Sequence, residues 1–378
     1  MSVVLGMPRR LPSGSGGIGD APVAASGTRP PVALPTERPA ASGLIDRFGR
    51  EATDLRISLT DRCNLRCTYC MPAEGLPFLP PPALMSLDEI TRLARIAVTE
   101  FGVRQIRFTG GEPLLRNDLV EIIRSVASLE PRPEISLTTN AIGLSSRAEA
   151  LAEAGLDRIN VSLDSIHPET FAKITRRPFL DRVLGGIDAV RAAGLRETKI
   201  NAVLMPGVND HQAVELLEWA LAGGHQLRFI EQMPLDADHT WDRDSMITAA
   251  GIRERLSARY LLSPDDAPRD GAPAELFQVR ERAEGPDSRM LGLVGIIASV
   301  SEPFCADCRR TRLTAEGAVR SCLFSHVETD LLGPIRAGAD DVEVADLWRG
   351  AMWAKPSGHR MNETGFAQPD RPMSAIGG

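Results

Sequence analysis

Residues 55–72 of the chain read LRISLTDRCNLRCTYCMP, and this stretch indicates both the fold and the chemistry. Cys63, Cys67 and Cys70 lie within it at a C-x3-C-x2-C spacing. Three thiolates on one tight loop can hold three irons of a [4Fe–4S] cluster and leave the fourth iron without a protein ligand. A small molecule can bind at that open iron and receive an electron. The spacing therefore indicates a catalytic cluster, because a structural metal site is normally closed by a fourth ligand.

The alternative interpretation of this loop is a zinc knuckle or three ordinary buried thiols. Zinc motifs usually pair cysteines as C-x2-C, and no nearby His or Cys completes this set. The loop resembles the signature of the radical S-adenosylmethionine (radical SAM) superfamily. That resemblance implies that the open iron chelates the amino and carboxylate groups of SAM, and that reduction of the cluster yields a 5′-deoxyadenosyl radical.

Composition sets outer limits on the function. A length of 378 residues is enough for one large domain and a smaller one. The net charge of −7 argues against general nucleic-acid binding, and the longest apolar run, near residues 291–300, is too short to span a bilayer. The six cysteines fall into two sets of three, which indicates metal binding in a reducing compartment, so we expect a cytoplasmic protein.

The chain is predicted to begin with a disordered leader over residues 1–43, which are rich in Pro, Gly, Ser and Ala. From residue 54 onward, short β-branched runs alternate with amphipathic helices. The predicted strands are Leu55–Leu59, Gln105–Thr109, Glu134–Thr138, Arg158–Leu163, Thr198–Leu204 and Gln226–Glu231. One helix is predicted to begin at the capping box Ser86–Glu89. Four more are predicted over Asp118–Ser128, Arg147–Ala154, Leu180–Ala193 and His211–Ala222.

Repeated strand–helix units predict an α/β fold with a parallel sheet and with functional groups at the ends of the strands. Periodicity alone leaves a doubly wound open sheet as an alternative. The radical SAM resemblance narrows the fold to a partial (β/α)6 TIM-like barrel over residues 44–263. A C-terminal auxiliary-cluster domain is predicted over residues 264–378, and residues 264–290 are predicted to be a connection or surface insertion.

A polar motif follows the second predicted strand and reads Thr109-Gly110-Gly111-Glu112-Pro113. Paired glycines let the backbone approach a ligand closely, and Glu112 can accept a hydrogen bond from an ammonium group. By itself this motif is only a turn. The superfamily resemblance implies a contact with SAM for six residues: Tyr69, Gly110, Gly111, Glu112, Ser162 and Met233. For Asp164, after the fourth strand, helix capping is an equal alternative to a functional role.

A second cysteine set lies in residues 304–324, FCADCRRTRLTAEGAVRSCLF, and consists of Cys305, Cys308 and Cys322. Residues 311–314 and 318–323 are predicted to form a hairpin that returns Cys322 to the other two cysteines. Arg310 and Arg312 then share one face of a strand. Two guanidinium groups beside a cluster suit a triphosphate or another multiply charged anion.

Together these features resemble the MoaA family, the GTP 3′,8-cyclases of molybdenum cofactor biosynthesis, over residues 45–378. The resemblance implies a second [4Fe–4S] cluster whose open iron binds guanine, and a terminal Gly377-Gly378 that reaches into the active site. The residues with implied catalytic roles are Arg310, Arg312, Gly377 and Gly378. The implied GTP contacts are Arg56, Arg107, Thr138, Lys199, Arg310 and Arg312. Three positions depart from the family, namely Gln105 for Lys, Arg309 for Asn and Ala141 for Gly, and we expect them to affect GTP affinity rather than activity.

The reaction implied by the resemblance is the cyclisation of GTP to (8S)-3′,8-cyclo-7,8-dihydroguanosine 5′-triphosphate. The implied partners are an external electron donor and the next enzyme of the pathway, cyclic pyranopterin monophosphate synthase, as product acceptor; no nucleic acid or membrane is expected. The oligomeric state is open, with a homodimer as one candidate. Two alternatives are a twin-cluster radical SAM maturase that modifies peptides and a zinc-stabilised binding protein without catalysis.

Overall fold

The structure is a computed structural model that describes residues 37–40, 42–195, 197–363 and 365–376. Almost all of the predicted leader, and both Gly377 and Gly378, lie outside the described residues. Over the part of the chain that is described, no helix combines the length and the apolar character needed to cross a membrane.

The N-terminal two thirds of the chain alternate strands and helices as predicted. The elements are β1 (Asp54–Ser58), α1 (Leu87–Phe101), β2 (Gln105–Thr109), α2 (Leu119–Ala127), β3 (Glu134–Thr139), α3 (Ala148–Glu153), β4 (Arg158–Ser162), α4 (Pro168–Thr175), α5 (Leu180–Ala192), β5 (Lys199–Val203), α6 (Ala213–Ala222) and β6 (Gln226–Ile230). All six predicted strands are confirmed to within one residue at each end. The short helix α4, which starts on a proline, has no counterpart among the predicted helices.

The described residues of the C-terminal third add six further strands. Its elements are α7 (Ala249–Ser257), β7 (Tyr260–Pro264), β8 (Glu275–Glu281), β9 (Met290–Ile297), β10 (Arg310–Leu313), β11 (Ala318–Arg320), β12 (Thr329–Asp330), α8 (Leu332–Arg336), α9 (Asp341–Trp353) and α10 (Met373–Ile376). The predicted hairpin is confirmed, since β10 and β11 pair in antiparallel fashion. The prediction of a connection or surface insertion over residues 264–290 is wrong for Glu275–Glu281, because these residues form β8, which pairs with both β7 and β9.

All strands join one sheet in the order β12-β11-β10-β1-β2-β3-β4-β5-β6-β9-β8-β7. Strands β1 to β6 run parallel, and the C-terminal strands extend both of their edges: β10 lies parallel to β1, and β9 lies parallel to β6. Strands β12 and β7 end the order without pairing with each other, so the barrel is open. The fold is a partial (β/α)6 barrel. The proposed division at residue 263 falls within β7 and stays a prediction.

Helices cover the outside of the sheet, and α1 shows how the sequence produces this. Ser86 and Glu89 form the predicted capping box, and Gly102 ends the helix with a φ of 68°. The apolar face of α1 is buried, and its Phe101 ring meets the Trp348 ring of α9 edge to face at 5.5 Å. The Trp348 Nε1 donates to Thr311 Oγ1 of β10 at 2.9 Å. Because the apolar side chains pack between the helices and the outside of the barrel, the polar side chains of the strands point to its inside.

Candidate active site

One cavity of about 320 Å³ lies inside the barrel, and both cysteine sets line it. The predicted site residues that also line it are Arg56, Tyr69, Arg107, Gly110, Gly111, Glu112, Thr138, Ser162, Met233, Arg310 and Arg312. Within the described residues, no three His, Cys, Asp or Glu side chains take the close arrangement that holds a single metal ion. The fold thus brings residues that lie far apart in the sequence together around one cavity.

The first cysteine loop is held by its own backbone. The amides of Cys70 and Met71 both donate to the Cys67 carbonyl at 3.0 Å. Burial raises the pKa of Cys63 to about 11 and that of Cys70 to about 12. Such thiols give up their protons when a metal cation takes the place of the proton. Three buried thiols without a fourth protein ligand fit three irons of a [4Fe–4S] cluster.

The paired glycines line the cavity and also pack against the start of the cysteine loop. A Cβ on Gly110 would overlap the carbonyl oxygen of Thr60, and one on Gly111 would overlap that of Arg62. The amide of Gly111 donates to Thr60 O, and the amide of Glu112 donates to Arg62 O, each at 2.7 Å. The absence of side chains at the two glycines therefore lets the end of β2 lie directly against the start of the cysteine loop.

Replacing Gly111 with Ala is expected to displace the cysteine loop and reduce iron binding at the first set. The overlap is with backbone, which cannot move aside as a flexible side chain would, so we expect a loss of about 1–3 kcal/mol in the free energy of unfolding. Iron content and thermal unfolding of the reconstituted protein measure the two effects. Gly185→Ala in α5 is the matched control, because a Cβ there meets nothing within 4 Å. Equal iron content in the two variants would contradict this role for Gly111.

Glu112 is a buried carboxylate that the protein itself already orients. Its Oε1 accepts from the Leu114 amide at 2.9 Å and from Thr139 Oγ1 at 2.6 Å, and its Oε2 accepts from the Asn140 amide at 2.7 Å. Burial raises its pKa to about 7 despite these donors. A cationic ligand would restore the charged form, and a carboxylate oxygen has room for a further hydrogen bond.

Asp164 takes part in the site and does not cap a helix. The next helix, α4, starts at Pro168, and Asp164 instead accepts from Tyr69 OH at 2.9 Å and from the Val203 amide at 2.8 Å. Burial raises the pKa of Asp164 to about 6. The bond to Tyr69, one residue before Cys70, fixes the last turn of the cysteine loop against β4 and β5. The capping interpretation of Asp164 is therefore wrong, and its functional role stays a prediction.

The second cysteine set differs from the first in its electrostatics. Burial opposes ionisation of Cys308, but Arg310 and Lys355 outweigh it and bring its pKa down to about 6. The Arg310 guanidinium also lies over the Phe304 ring, 4.9 Å from its centroid. Three thiols, one of them readily ionised, again fit a cluster that lacks a fourth protein ligand.

A row of cations crosses the sheet beside the second set. Arg312, Arg56 and Arg107 are direct register partners on β10, β1 and β2. Burial, and then repulsion from Arg107 and Arg312, hold the pKa of Arg56 well below its usual range. The Arg56 Nε is buried and has no hydrogen-bond partner among the described residues. Like charges packed together away from water are unfavourable unless an anion joins them.

Two further basic residues, Arg228 and Lys199, interact with this row of cations. Arg228 of β6 lines the cavity, although the sequence analysis did not select it. Its inward position follows from the alternation of Gln226, Arg228 and Ile230 along the strand. Lys199 does not line the cavity, but burial, and then the charges of Arg228 and Arg158, lower its pKa to about 7. It belongs to the same group of interacting cations.

The described C-terminal tail enters the barrel. Ile376 is buried, and its carbonyl accepts from Ser58 Oγ of β1 at 2.8 Å. The Met373 amide donates to Leu235 O at 3.0 Å, and Met373 and Ser374 line the cavity. Arg371 anchors the tail to Glu316 and Glu328. The predicted roles of Gly377 and Gly378 concern residues beyond the described ones.

The three departures from the family pattern have distinct surroundings. Gln105 is exposed and does not line the cavity. Arg309 forms an ion pair with Asp270 at 2.6 Å. Ala141 has a φ of 64°, the left-handed conformation that favours glycine, so this alanine costs roughly 1–2 kcal/mol of backbone strain. The last departure therefore concerns stability more than GTP contact.

Comparison with known proteins agrees with this geometry. Residues 57–220 match the radical SAM superfamily, and residues 225–361 match the family described as Molybdenum Cofactor Synthesis C. The GTP 3′,8-cyclase of Paenarthrobacter nicotinovorans is 59% identical over 355 residues, covering 91% of this chain and 100% of that protein. The GTP 3′,8-cyclase of Mycolicibacterium smegmatis is 59% identical over 340 residues, covering 90% of this chain and 93% of that protein. Streptococcus suis SuiB bound to S-adenosylmethionine shares the fold, with a TM-score of 0.55 at 14% identity over 82% of this chain and 67% of that one.

Proposed function

The chain belongs to the GTP 3′,8-cyclase family of the radical SAM superfamily, and we propose that it cyclises GTP to (8S)-3′,8-cyclo-7,8-dihydroguanosine 5′-triphosphate. This reaction is the first step of molybdenum cofactor biosynthesis, and it places the enzyme in the lyase class. The observation that carries the proposal is that two open three-thiol sets share one cavity with a row of buried cations. A triphosphate satisfies the cations, and the two thiol sets suit two clusters with different ligands.

The residues present fit the cofactors of the family. Cys63, Cys67 and Cys70 would hold one [4Fe–4S] cluster, and Cys305, Cys308 and Cys322 would hold the other. When bound, the first cluster and SAM supply the radical that takes hydrogen from C3′ of the GTP ribose before C3′ joins C8 of guanine. The protein contacts proposed for SAM are Tyr69, Gly110, Gly111, Glu112, Ser162 and Met233.

The contribution of the protein to the reaction is position and charge. Glu112 is held by three hydrogen bonds, so it can receive the SAM ammonium group without reorganising. Arg56, Arg107 and Arg312 would bind the triphosphate, with Thr138, Lys199 and Arg310 as further contacts and Arg228 as an addition from the structure. Burial inside the barrel excludes water from a reactive carbon radical. Arg310 and Arg312, with Gly377 and Gly378 of the tail, are proposed to take part in catalysis.

Lys199 is expected to make GTP binding weaken as the pH rises above about 7. Burial lowers its pKa to about 7, so without GTP it loses its proton near neutrality. A triphosphate favours the ammonium form, so binding takes up a proton above that pH, and affinity falls by up to about tenfold per pH unit. Calorimetric titration of the protein with GTP from about pH 6 to about pH 9 measures this slope.

The control for this pH dependence is Lys199→Arg, whose charge is fixed over the same range. Ionisation of GTP itself contributes equally to both proteins, so the difference between their slopes belongs to Lys199. Identical slopes in the wild type and Lys199→Arg would contradict a role for this ammonium group in binding the triphosphate.

The proposal extends to partners and location. We propose that an external electron donor reduces the first cluster and that cyclic pyranopterin monophosphate synthase accepts the product. We also propose that the protein works in the cytoplasm. A homodimer is one candidate for its oligomeric state. Support for these points comes from membership of the family. The alternative of a peptide-modifying maturase is not favoured, because the cyclases match over almost the whole chain at 59% identity.

Anaerobic reconstitution with iron and sulfide, followed by incubation with SAM and dithionite, tests the function. With GTP present we expect 5′-deoxyadenosine together with a new triphosphate of the same mass as GTP. Deoxyadenosine formed equally with and without GTP, and without a new triphosphate, would contradict the cyclase assignment and favour the maturase. Zinc in place of iron, with no cleavage of SAM, would favour the zinc-stabilised binding protein.

A further inference from the structure

Two cations with buried side chains hold the backbone of the second cysteine set, and neither is among the residues predicted to contact SAM or GTP. The first is Arg50, just before β1. Its Nη1 donates to the carbonyls of Cys305 and Ser357, both at 2.7 Å, and its Nη2 donates to Pro356 O at 2.5 Å. Asp46 balances its charge at 2.6 Å. Arg50 therefore ties the first cysteine of the set to the segment that follows α9.

The second cation is Lys355, in that same segment. Only 3% of its surface is exposed, and its Nζ donates to Arg310 O at 2.8 Å and to Cys308 O at 3.2 Å. These carbonyls lie on either side of Arg309, at the start of β10. One ammonium group thus fixes the backbone of a cluster ligand and of a cation proposed to contact GTP.

Burying a lysine costs free energy unless an interaction stabilises its charge, because an apolar side chain of similar length would fill the same space without losing hydration. Among the described residues, Lys355 has no carboxylate partner within hydrogen-bond distance, and its acceptors are two backbone carbonyls. The acidic groups whose charge acts on it are the thiols of Cys308 and Cys322, which lose their protons when they hold a metal, whereas the nearby Arg50 acts in the opposite direction. A positive charge beside a cluster favours the reduced form, which carries one more negative charge.

We propose that Lys355 is a positioning residue for the second cluster, which fixes Cys308 and Arg310 together and raises the reduction potential of the cluster by its charge. Arg50 fixes Cys305 in the same way but is neutralised by Asp46, so its part is structural. The inference rests on the assignment of a cluster to Cys305, Cys308 and Cys322. It does not depend on which substrate the enzyme converts.

The test uses the full chain with the first cysteine set replaced by alanine, so that iron binds only at the second set. In this background Lys355→Met, Lys355→Gln and Lys355→Arg are reconstituted, and the one-electron reduction of each cluster by dithionite is followed by electron paramagnetic resonance. Lys173→Met is the matched control, because Lys173 is exposed on α4. Neither SAM nor GTP enters the assay, so it can fail while the proposed function stands.

We expect the equilibrium constant for reduction to fall about tenfold in Lys355→Met and Lys355→Gln, a shift of about 59 mV to lower potential. Lys355→Arg and Lys173→Met should keep the potential of the parent protein. Loss of iron from Lys355→Met with retention in Lys355→Arg would also support the proposal. A parental potential in the neutral Lys355→Gln would overturn it, whether or not the methionine variant folds.

Discussion

Replacing Cys67 with Ser is expected to abolish cleavage of SAM, whereas replacing Cys322 with Ser is expected to spare cleavage and abolish cyclisation. Both residues line one cavity, but they belong to sets with different surroundings. The first set lies against Tyr69, Glu112 and the glycine pair, which suit SAM. The second lies beside the buried cations, which suit a triphosphate. The two halves of the reaction should therefore separate by mutation.

The measurement is the amount of 5′-deoxyadenosine and of cyclised triphosphate formed under reducing conditions, with iron content determined for each variant. Each variant should retain about half of the wild-type iron, because one of two equal clusters is lost. Cys322→Ser is also expected to lose the dependence of SAM cleavage on GTP. Normal cyclisation by Cys322→Ser would show that the second set does not serve the substrate.

Replacing Arg56 with Met is expected to lower kcat/KM for GTP by about 10²–10³, the usual effect of removing one oriented donor from a charge-stabilising site. Arg56 lies between Arg107 and Arg312 and has a buried Nε without a partner among the described residues. Its neighbours repel it, and burial holds its pKa well below the usual range. The same substitution should therefore leave the thermal stability of the protein without ligand unchanged or increase it.

This opposite response of activity and stability distinguishes a binding role from a structural one. Steady-state kinetics with varied GTP and thermal unfolding without GTP give the two values. Arg124→Met is the control, because Arg124 is exposed on α2 and does not line the cavity; it should change neither value. A variant at Arg56 that is both less active and clearly less stable would indicate that the guanidinium supports the fold.

The parts of the fold that follow from local pattern were predictable from the sequence. The six parallel strands are short runs with buried apolar residues that alternate with helices, and the cysteine sets have spacings that few other sites share. Strand β8 was missed because Pro, Asp and Gly residues surround it and because it is stabilised by pairing with β7 and β9 rather than by its own composition. The roles of Arg50 and Lys355 were out of reach for a similar reason. Both donate to carbonyls, which every residue carries, so nothing in the sequence marks their partners.

The structural role of a motif was harder to predict than its position in the sequence. Gly110 and Gly111 are predicted to contact a ligand, which stays a prediction, and the structure adds a second role, since they bring β2 against the cysteine loop. Asp164 carried two equal interpretations until its bonds to Tyr69 and Val203 were known. Arg228 was visible in the strand alternation, but many inward arginines on short strands pair with carboxylates. The three-dimensional structure shows that this one lines the cavity.

The arrangement of strands also has a consequence for how the chain is made. Strand β1 can pair with β2 soon after both are synthesised. Its other neighbour is β10, which starts at Arg310 and is synthesised much later. Strand β6 likewise cannot pair with its second neighbour, β9, until that later strand has been synthesised. A nascent chain therefore carries two unpaired apolar edges until most of the protein has left the ribosome, and such edges invite association with other chains. Contacts so distant in sequence also close slowly. Because Arg312 joins Arg56 and Arg107 only in that last step, an incomplete chain cannot assemble the anion site, and a truncated barrel is expected to aggregate rather than to bind GTP weakly.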